Sequence, residues 1–365
     1  MTDLIRRGLL RGAGAVALGA LAPVARSSTT LQVRPVDQLT LHVLVDAATF
    51  GFAQPVRRPD LIVERVPPRP LDESQPRYTA GAEFGLSLLA ESNIGSETRR
   101  VMIDFGYTPE VLRNNLALQR IRLSSVDALV LSHGHFDHFG GIHALLDAGA
   151  DLKPRLPLWV GGEEIFCARE TLLAGSAQSF GRVPREQLAA AGIRVMIATE
   201  PAIVAEHAFT TGEIDLRSFE RTINPTIMKP GEGCRRELLS EDRRALTKVP
   251  DDFRHELATC YVVKGRGLVV QSSCSHRGIL NAVRRAREVS GIERVHAVVG
   301  GFHLVWPRTD DEAVRTVDAL LDIDPDYVIP MHCTGEVFIA EAIRRMPKKI
   351  IRPYVGSRFI FGQVS

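Results

Sequence analysis

Short runs of apolar residues recur along the chain, and most of them have the length and composition of buried β-strands. The first covers residues 39–47, and the next cover residues 85–89, 100–104 and 126–131. These runs are rich in aliphatic and β-branched side chains, which favours strands over helices. The same pattern predicts further strands at residues 157–161, 193–198, 257–263, 267–273, 295–301 and 326–332.

Segments whose apolar positions have helical spacing lie between several of these strands. Residues 109–118 are predicted to form a helix, because Thr108 suits the N-cap and Pro109 the first helical position. The pattern also predicts helices at residues 142–149, 279–289 and 310–321, the first of them ending at Gly149. Residues 54–81 carry six prolines among mixed charges, which predicts an extended loop without a regular element.

The composition is that of an ordinary globular protein, long enough for one large domain or two smaller ones. The 365 residues are 45% hydrophobic and 24% charged, so the chain can bury a large core. The formal net charge is +2, and removing residues 1–28, which hold four Arg and one Asp, leaves −1. Nucleic-acid binding needs a basic surface, so we expect a small-molecule substrate instead. Residues 29–365 are predicted to form a single domain.

The first 28 residues have the layout of a twin-arginine signal peptide. Arg6 and Arg7 precede a small, uncharged apolar run from Gly12 to Ala22. This run is shorter than the roughly 20 residues that a membrane-spanning helix needs, so we expect no stable membrane insertion once the signal is removed. The segment predicts export to the periplasm; a cytosolic amphipathic start or a membrane anchor is the alternative.

Five scattered cysteines are an odd number and few for a chain of this length. They imply no disulfide framework.

Four side chains of types that commonly bind metals stand within six residues after the strand at 126–131. Alternate side chains of an extended segment point to the same side, so His133 and His135 can reach one cation. Asp137 and His138 follow the turn and can reach a second cation beside it. Imidazole nitrogens and carboxylate oxygens suit Zn²⁺ or another divalent transition ion. The motif therefore predicts a metal centre with one or two ions.

Several segments together resemble a known family. They are Glu83–Leu88, Asp104–Gly106, Leu131–His135, Cys274–Asn281, Gly300–Leu304 and Pro330–Gly335. In these segments the chain resembles the metallo-β-lactamase superfamily, and within it the branch of dihydropterin-aminobenzene phosphate synthase-like proteins. The resemblance implies a mixed α/β (α+β) fold, a four-layer αββα sandwich with two sheets face to face, helices outside and metals at one edge.

The resemblance also implies where the remaining functional residues lie. His332 matches the superfamily's last metal ligand, and His276 follows a strand where the family places a metal-site residue. His255 stands where many members have the metal-binding histidine of their third motif. The alternative is a histidine in a surface loop, or one that contacts the metal ligands without binding the metal. Cys274 is the alternative to His276, because thiolate binds Zn²⁺ well, although a free cysteine is commonly just a small buried residue. His303 is implied as an active-site group.

These residues predict a metallo-hydrolase that uses Zn²⁺, with Mn²⁺ or Fe²⁺ as alternatives. Asp137 is expected to orient water and accept its proton, and His303 to stabilise developing negative charge. The bond cleaved is an ester, phosphoester, lactone or amide. Two other functions stay open: an iron-dependent redox enzyme, whose relatives usually have Glu where this chain has His135, and an exported metal-binding module without turnover.

Overall fold

The structure is a computed structural model that describes residues 30–65, 79–148, 151–173, 176–223 and 225–362. The predicted signal segment and the predicted helix end at Gly149 lie outside the described residues. Among the described residues, no helix is both long and apolar enough to cross a membrane.

The described residues form strands that belong to three sheets. In chain order they are β1 (Gln38–Val45), β2 (Val56–Arg58), β3 (Leu61–Arg65), β4 (Ser87–Ile94), β5 (Glu97–Ile103), β6 (Ala128–Leu131), β7 (Pro157–Val160), β8 (Ala168–Leu173), β9 (Ser176–Ser179), β10 (Arg194–Ile197), β11 (Ala202–Val204), β12 (Ala208–Thr210), β13 (Thr226–Lys229), β14 (Val249–Pro250), β15 (Thr259–Val263), β16 (Gly267–Ser272), β17 (Val295–Gly300), β18 (Tyr327–Pro330) and β19 (Ser357–Gly362). The sheet orders are β10-β7-β6-β5-β4-β1-β19-β3-β2, β11-β12-β15-β16-β17-β18 and β14-β13-β8-β9.

The helices connect these strands. They are α1 (Pro109–Leu118), α2 (Phe136–Phe139), α3 (His143–Ala148), α4 (Arg185–Ala190), α5 (Glu241–Arg244), α6 (Ile279–Ser290), α7 (Asp310–Ile323) and α8 (Glu336–Arg345). Helix α1 has the predicted bounds, and the Thr108 side chain accepts a hydrogen bond from the backbone N–H of Val111, as an N-cap does.

Three apolar clusters define the layers. The first lies between the two large sheets and includes Leu41 of β1 and Val269 of β16. The second joins the other face of the nine-stranded sheet to α1, α3 and α4, and the third joins the other face of the six-stranded sheet to α6, α7 and α8. This order of helix, sheet, sheet and helix confirms the predicted αββα sandwich.

The double burial explains why most strands read as continuous apolar runs. In β5, Val101 and Ile103 belong to the cluster between the sheets, whereas Met102 belongs to the helix side. Alternate side chains point to opposite faces, and both faces are covered here.

One prediction for the fold was wrong, and one sheet was missed. Residues 54–81 contain β2 and β3, because the apolar run that begins at Leu61 pairs with β19 in spite of the nearby prolines. The four-stranded sheet was missed because its strands are short and carry polar residues. Strand β9, for example, is exposed at every position.

Two of the five cysteines, Cys167 and Cys234, form a disulfide that the sequence did not predict. Cys260, Cys274 and Cys333 are free and buried.

Candidate metal centre

The residues of the site follow the carboxyl ends of strands in both large sheets. Strands β5, β6 and β7 run parallel, as do β16, β17 and β18, so their carboxyl ends meet at one edge. The polar residues that follow strands at this edge are Asp46, Asp104, Ser132, His133, Cys274, His276, His303 and His332.

The first pair of facing imidazoles is formed by His133 and His276, whose Nε2 atoms lie 3.2 Å apart. The Ser132 hydroxyl donates to Oδ2 of Asp104 at 2.8 Å, and its oxygen lies 2.9 Å from Nδ1 of His133. Because the hydroxyl gives its single hydrogen to the carboxylate, it accepts a hydrogen bond from Nδ1 of His133. The Nε2 atom of His133 therefore carries a lone pair that faces His276.

The second pair is formed by His138 and His332, whose Nε2 atoms are also 3.2 Å apart. Nδ1 of His138 lies 2.8 Å from Oδ2 of Asp104, so Nδ1 carries the hydrogen and Nε2 the lone pair. Oδ2 of Asp137 lies 3.1 Å from Nε2 of His332. The other carboxylate oxygen of Asp137 is buried without a hydrogen-bond partner among the described residues. Each pair thus belongs to a group of ligand atoms that lie within 4.8 Å of one another, which is close enough to hold a cation.

His135 completes the histidine cluster. Its ring centroid lies 4.8 Å from that of His133 and 4.7 Å from that of His276. Its Nε2 atom lies 3.2 Å from the hydroxyl oxygen of Thr226, on β13 of the four-stranded sheet. The unpredicted third sheet therefore contributes directly to the site.

Cys274 lies next to both imidazole pairs. Its sulfur is within 4.8 Å of ligand atoms of His133 and His276, and also of His138 and His332. The sulfur of Cys333 lies 3.2 Å from that of Cys274.

His255, the other sequence-predicted ligand, is engaged differently. Its Nε2 atom lies 3.0 Å from the guanidinium of the buried Arg169 and accepts a hydrogen bond from the backbone N–H of Gly134 at 3.3 Å. We therefore leave His255 out of the proposed ligand set and describe it as a residue that holds the backbone of the metal motif.

His303, predicted as catalytic, lies at the centre's edge. Its ring centroid is 4.4 Å from that of His276, and its Nδ1 atom is buried without a hydrogen-bond partner among the described residues. Burial, together with the positive charge of Arg308, lowers the pKa of His303 to about 4. The imidazole is therefore neutral near pH 7.

Comparison with known proteins agrees with this geometry. The model of the metallo-beta-lactamase superfamily matches residues 81–157, which include the whole His133–His138 motif. A curated relative from Methanocaldococcus jannaschii is 30% identical over 259 residues, which are 70% of this chain and 82% of the relative. The chain belongs to the metallo-β-lactamase superfamily. The relative is named 7,8-dihydropterin-6-methyl-4-(beta-D-ribofuranosyl)-aminobenzene-5'-phosphate synthase.

One further sequence relative and one solved structure are also similar to this chain. An uncharacterized protein of the same organism is 27% identical over 256 residues, covering 70% of this chain and 85% of that protein. The crystal structure of Tm1679, described as a metal-dependent hydrolase of the beta-lactamase superfamily, superposes with a TM-score of 0.62 at 23% identity. The superposition covers 88% of this chain and 98% of the Tm1679 chain, which confirms the fold.

Charge at this metallo-β-lactamase centre favours cation binding. Burial lowers the pKa of His133 well below its ordinary value and that of His135 to about 3, so both imidazoles are neutral near pH 7. Burial opposes ionisation of Asp137, but the imidazoles of His138 and His332 hold its pKa below the ordinary value. Neutral imidazole and ionised carboxylate are the forms that bind metals. Burial also opposes the charge of His332, but Cys333 and the hydrogen bond to Asp137 raise the pKa of His332 to about 9, so a cation bound there must displace a proton.

Packing and backbone geometry fix the orientation of the metallo-β-lactamase motif. The ring of Phe253 stacks on His276 with centroids 3.9 Å apart and planes 10° from parallel. A Cβ on Gly141 would lie 1.9 Å from the carbonyl oxygen of Phe105, so this glycine permits a close backbone approach. Several non-glycine residues at this edge have left-handed backbone: Asp104, Phe253, Ser275, His303 and His332. Such strain is typical of functional sites.

Proposed function

We propose that the protein is a metal-dependent hydrolase with one or two divalent cations, Zn²⁺ in the first place. The observation that carries the proposal is the pair of Nε2 to Nε2 contacts at 3.2 Å, His133 with His276 and His138 with His332, beside the ionised Asp137. The Nε2 lone pairs of His133 and His138 face these partner imidazoles, and a cation can take the place of a hydrogen between the two rings of each pair. The chemistry of these donors therefore fits Zn²⁺, and also Mn²⁺ or Fe²⁺.

The chain's own residues then have distinct tasks. A divalent cation held by the five histidines of the cluster and Asp137 would supply Lewis acidity, which makes water more acidic and polarises a carbonyl or phosphoryl oxygen. Asp137 orients the attacking water and accepts its proton through Oδ1, which has no hydrogen-bond partner among the described residues. His303, neutral near pH 7, donates a hydrogen bond to negative charge that develops on the substrate. The substrate is a small molecule with an ester, phosphoester, lactone or amide bond.

Metal analysis of the purified protein tests the centre. We expect between one and two equivalents of Zn²⁺, Mn²⁺ or Fe²⁺, and the double variant His133→Ala with His135→Ala should lose at least one site. His143→Ala, on α3 and outside the cluster, is the matched control and should keep its metal. A screen of chromogenic esters and phosphoesters then tests hydrolysis. Absence of any bound transition metal, even after addition of Zn²⁺, would overturn the proposal.

A synthase reaction is a second candidate, and the name of the 30% identical relative favours it. The two candidates differ in the fate of the substrate, because hydrolysis incorporates one oxygen from water into a product and a synthase joins two reactants. Turnover in ¹⁸O-labelled water with mass spectrometry of the products distinguishes them. Metal loading without turnover in either assay would instead favour the metal-binding module.

We also propose that the protein is exported through a twin-arginine route to the periplasm. The Arg6-Arg7 segment motivates the proposal, and the Cys167–Cys234 disulfide supports it, because disulfides persist in oxidising compartments. Cell fractionation should find a shortened protein outside the cytoplasm, and changing both arginines to Lys should retain it inside. The export proposal would be contradicted by full-length protein in the cytosol whose location does not change when both arginines are replaced.

A further inference from the structure

A buried ion pair lies against the metal motif without belonging to the candidate ligands. Nε of Arg169, on β8, lies 2.5 Å from Oδ2 of Asp251, and both side chains are fully buried. The other N–H groups of the guanidinium donate to His255 and to the carbonyl oxygens of Glu164, Ile165 and Cys167. Burying two charges is costly, and an apolar pair of similar volume is often as stable. Stability alone therefore does not account for this ion pair.

The guanidinium holds the backbone of the metal motif. Its Nη2 atom lies 3.0 Å from Nε2 of His255, and the same imidazole nitrogen accepts the backbone N–H of Gly134. Gly134 stands between His133 and His135, and a Cβ at this position would collide with the guanidinium of Arg169. The close contact and the shared hydrogen bonds fix the segment that carries these two histidines.

The carboxylate of the ion pair reaches the centre by a second route. Oδ1 of Asp251 accepts the backbone N–H of Phe253 at 3.1 Å. The ring of Phe253 stacks on that of His276, and its centroid lies 5.9 Å from that of His133. Both members of the ion pair therefore act on the first imidazole pair, which is His133 with His276.

The second imidazole pair, His138 with His332, is held by other residues. Oδ2 of Asp104 lies 2.8 Å from Nδ1 of His138, and Asp46 accepts the backbone N–H of His332 at 2.8 Å. Asp104 also reaches the first pair through Ser132, so it serves both pairs. The contacts of the ion pair, in contrast, lead to the first pair.

We propose that Arg169 and Asp251 are positioning residues that set the affinity of the cation at the first imidazole pair. Neither residue binds the cation. They hold the imidazoles in place before it arrives, and loss of such outer partners typically lowers metal affinity by about 10- to 100-fold. This inference rests on the proposed metal centre and names the residues that govern one half of it.

Titration of the metal-free full-length protein with Co²⁺ tests the proposal in two backgrounds. His332→Ala keeps the first imidazole pair intact, and His276→Ala keeps the second. The visible absorption of Co²⁺ reports binding, and competition with a chelator gives the affinity. The double variant Arg169→Met with Asp251→Leu leaves no unpaired buried charge. It should lower the affinity by about 10- to 100-fold in the His332→Ala background and by less than about 3-fold in the His276→Ala background.

Two further variants separate positioning from a general effect on stability. The double variant Arg185→Met with Glu163→Leu is the matched control, because it removes another ion pair whose N–O distance is 2.6 Å. It should leave both affinities unchanged. Arg169→Lys keeps the charge beside Asp251 but replaces the planar fork with a single ammonium. It should show the same selective loss, which keeps the test decisive if the apolar double variant does not fold.

Thermal melting of the metal-free proteins is measured beside the affinities. A merely structural role would lower the melting temperature and weaken Co²⁺ binding alike in both backgrounds, and that result would overturn the proposal. An unchanged affinity at the first pair would overturn it too, as would a His332→Ala protein that no longer binds Co²⁺. In these cases a wild-type protein that binds Co²⁺ leaves the hydrolase proposal standing. A wild-type protein that binds no Co²⁺ would overturn both proposals.

Discussion

Nδ1 of His138 lies 2.8 Å from Oδ2 of Asp104, and both side chains are fully buried. The same carboxylate oxygen accepts the hydroxyl of Ser132, whose oxygen contacts Nδ1 of His133. One carboxylate therefore fixes the tautomers of two imidazoles, one in each facing pair. Such a carboxylate-histidine arrangement orients the ligand and raises its basicity.

Asp104→Asn should weaken metal binding by about 10- to 100-fold. Asparagine tolerates the left-handed backbone at this position, but its amide nitrogen cannot accept hydrogen bonds from both Ser132 and His138. Chelator competition with Zn²⁺ measures the change. Asp127→Asn is the matched control, since Asp127 accepts the backbone N–H of Arg100 away from the centre. Equal affinity in the two variants would contradict the role of Asp104.

Asp137→Asn should reduce turnover by on the order of 10²-fold or more while the ions at His133 and His276 stay bound. The substitution keeps the size of the side chain and one oxygen, but it removes the charge that lets the residue accept a proton. Turnover, metal content and thermal melting of the same preparation are measured together. Activity within a few-fold of wild type would remove Asp137 from the mechanism, and unfolding or loss of all metal would make its role structural.

Opening the Cys167–Cys234 disulfide should lower the free energy of unfolding by about 4 kcal/mol. The bridge joins residues 67 positions apart, and a loop of that length carries an unfolded-state entropy of this order. Urea unfolding with and without dithiothreitol measures the effect. The double variant Cys167→Ser with Cys234→Ser is the control, because reductant should not change its stability further. Identical midpoints for oxidised and reduced wild type would contradict the prediction.

The ionisation of Glu220 should lower the free energy of unfolding as the pH rises. Burial raises its pKa from 4.5 to about 7, although its Oε2 accepts hydrogen bonds from Ser218 and the backbone N–H of Leu280. The folded state therefore holds this proton more tightly, so the stability that it contributes is complete below pH 4.5 and is lost as the pH rises through 7.

Comparison with Glu220→Gln isolates this effect, because glutamine keeps the accepting oxygen and does not titrate. The free energy of unfolding of wild type, relative to the variant, should fall by about 2 to 3 kcal/mol from pH 5 to pH 8. Urea unfolding at both pH values measures it. A constant difference between the two proteins would show that Glu220 ionises normally.

The sequence predicted the sandwich well because both sheets are covered on both faces. Buried strands such as β6 and β17 are apolar along their whole length, and that signal is visible in a single chain. The His133–His138 motif was equally visible, because its residues are contiguous. Strands β8 and β13 were missed because their polar residues contact the site; Arg169 and Thr226 are examples.

The outer partners of the metal centre were harder to predict. Asp104 directly follows a predicted strand, which is a usable signal, but nothing local indicates that it meets His138, 34 residues later. Phe253 stacks on His276 from the loop before β15, where its own backbone is left-handed, and no sequence pattern indicates this contact. For His255, spacing matched the family pattern, whereas the contact with Arg169 depends on a sheet that the sequence did not reveal.

The strand order of the nine-stranded sheet has a consequence for synthesis of the protein. Strand β19 lies between β1 and β3, with Leu41 opposite Phe359, so a segment made late completes the middle of a sheet begun early. A nascent chain that stops before Ser357 has two unpaired strand edges there, and such edges are templates for aggregation. Native pairing over this sequence distance is also intrinsically slow. The ribosome must therefore finish residues 357–362 before this sheet can close.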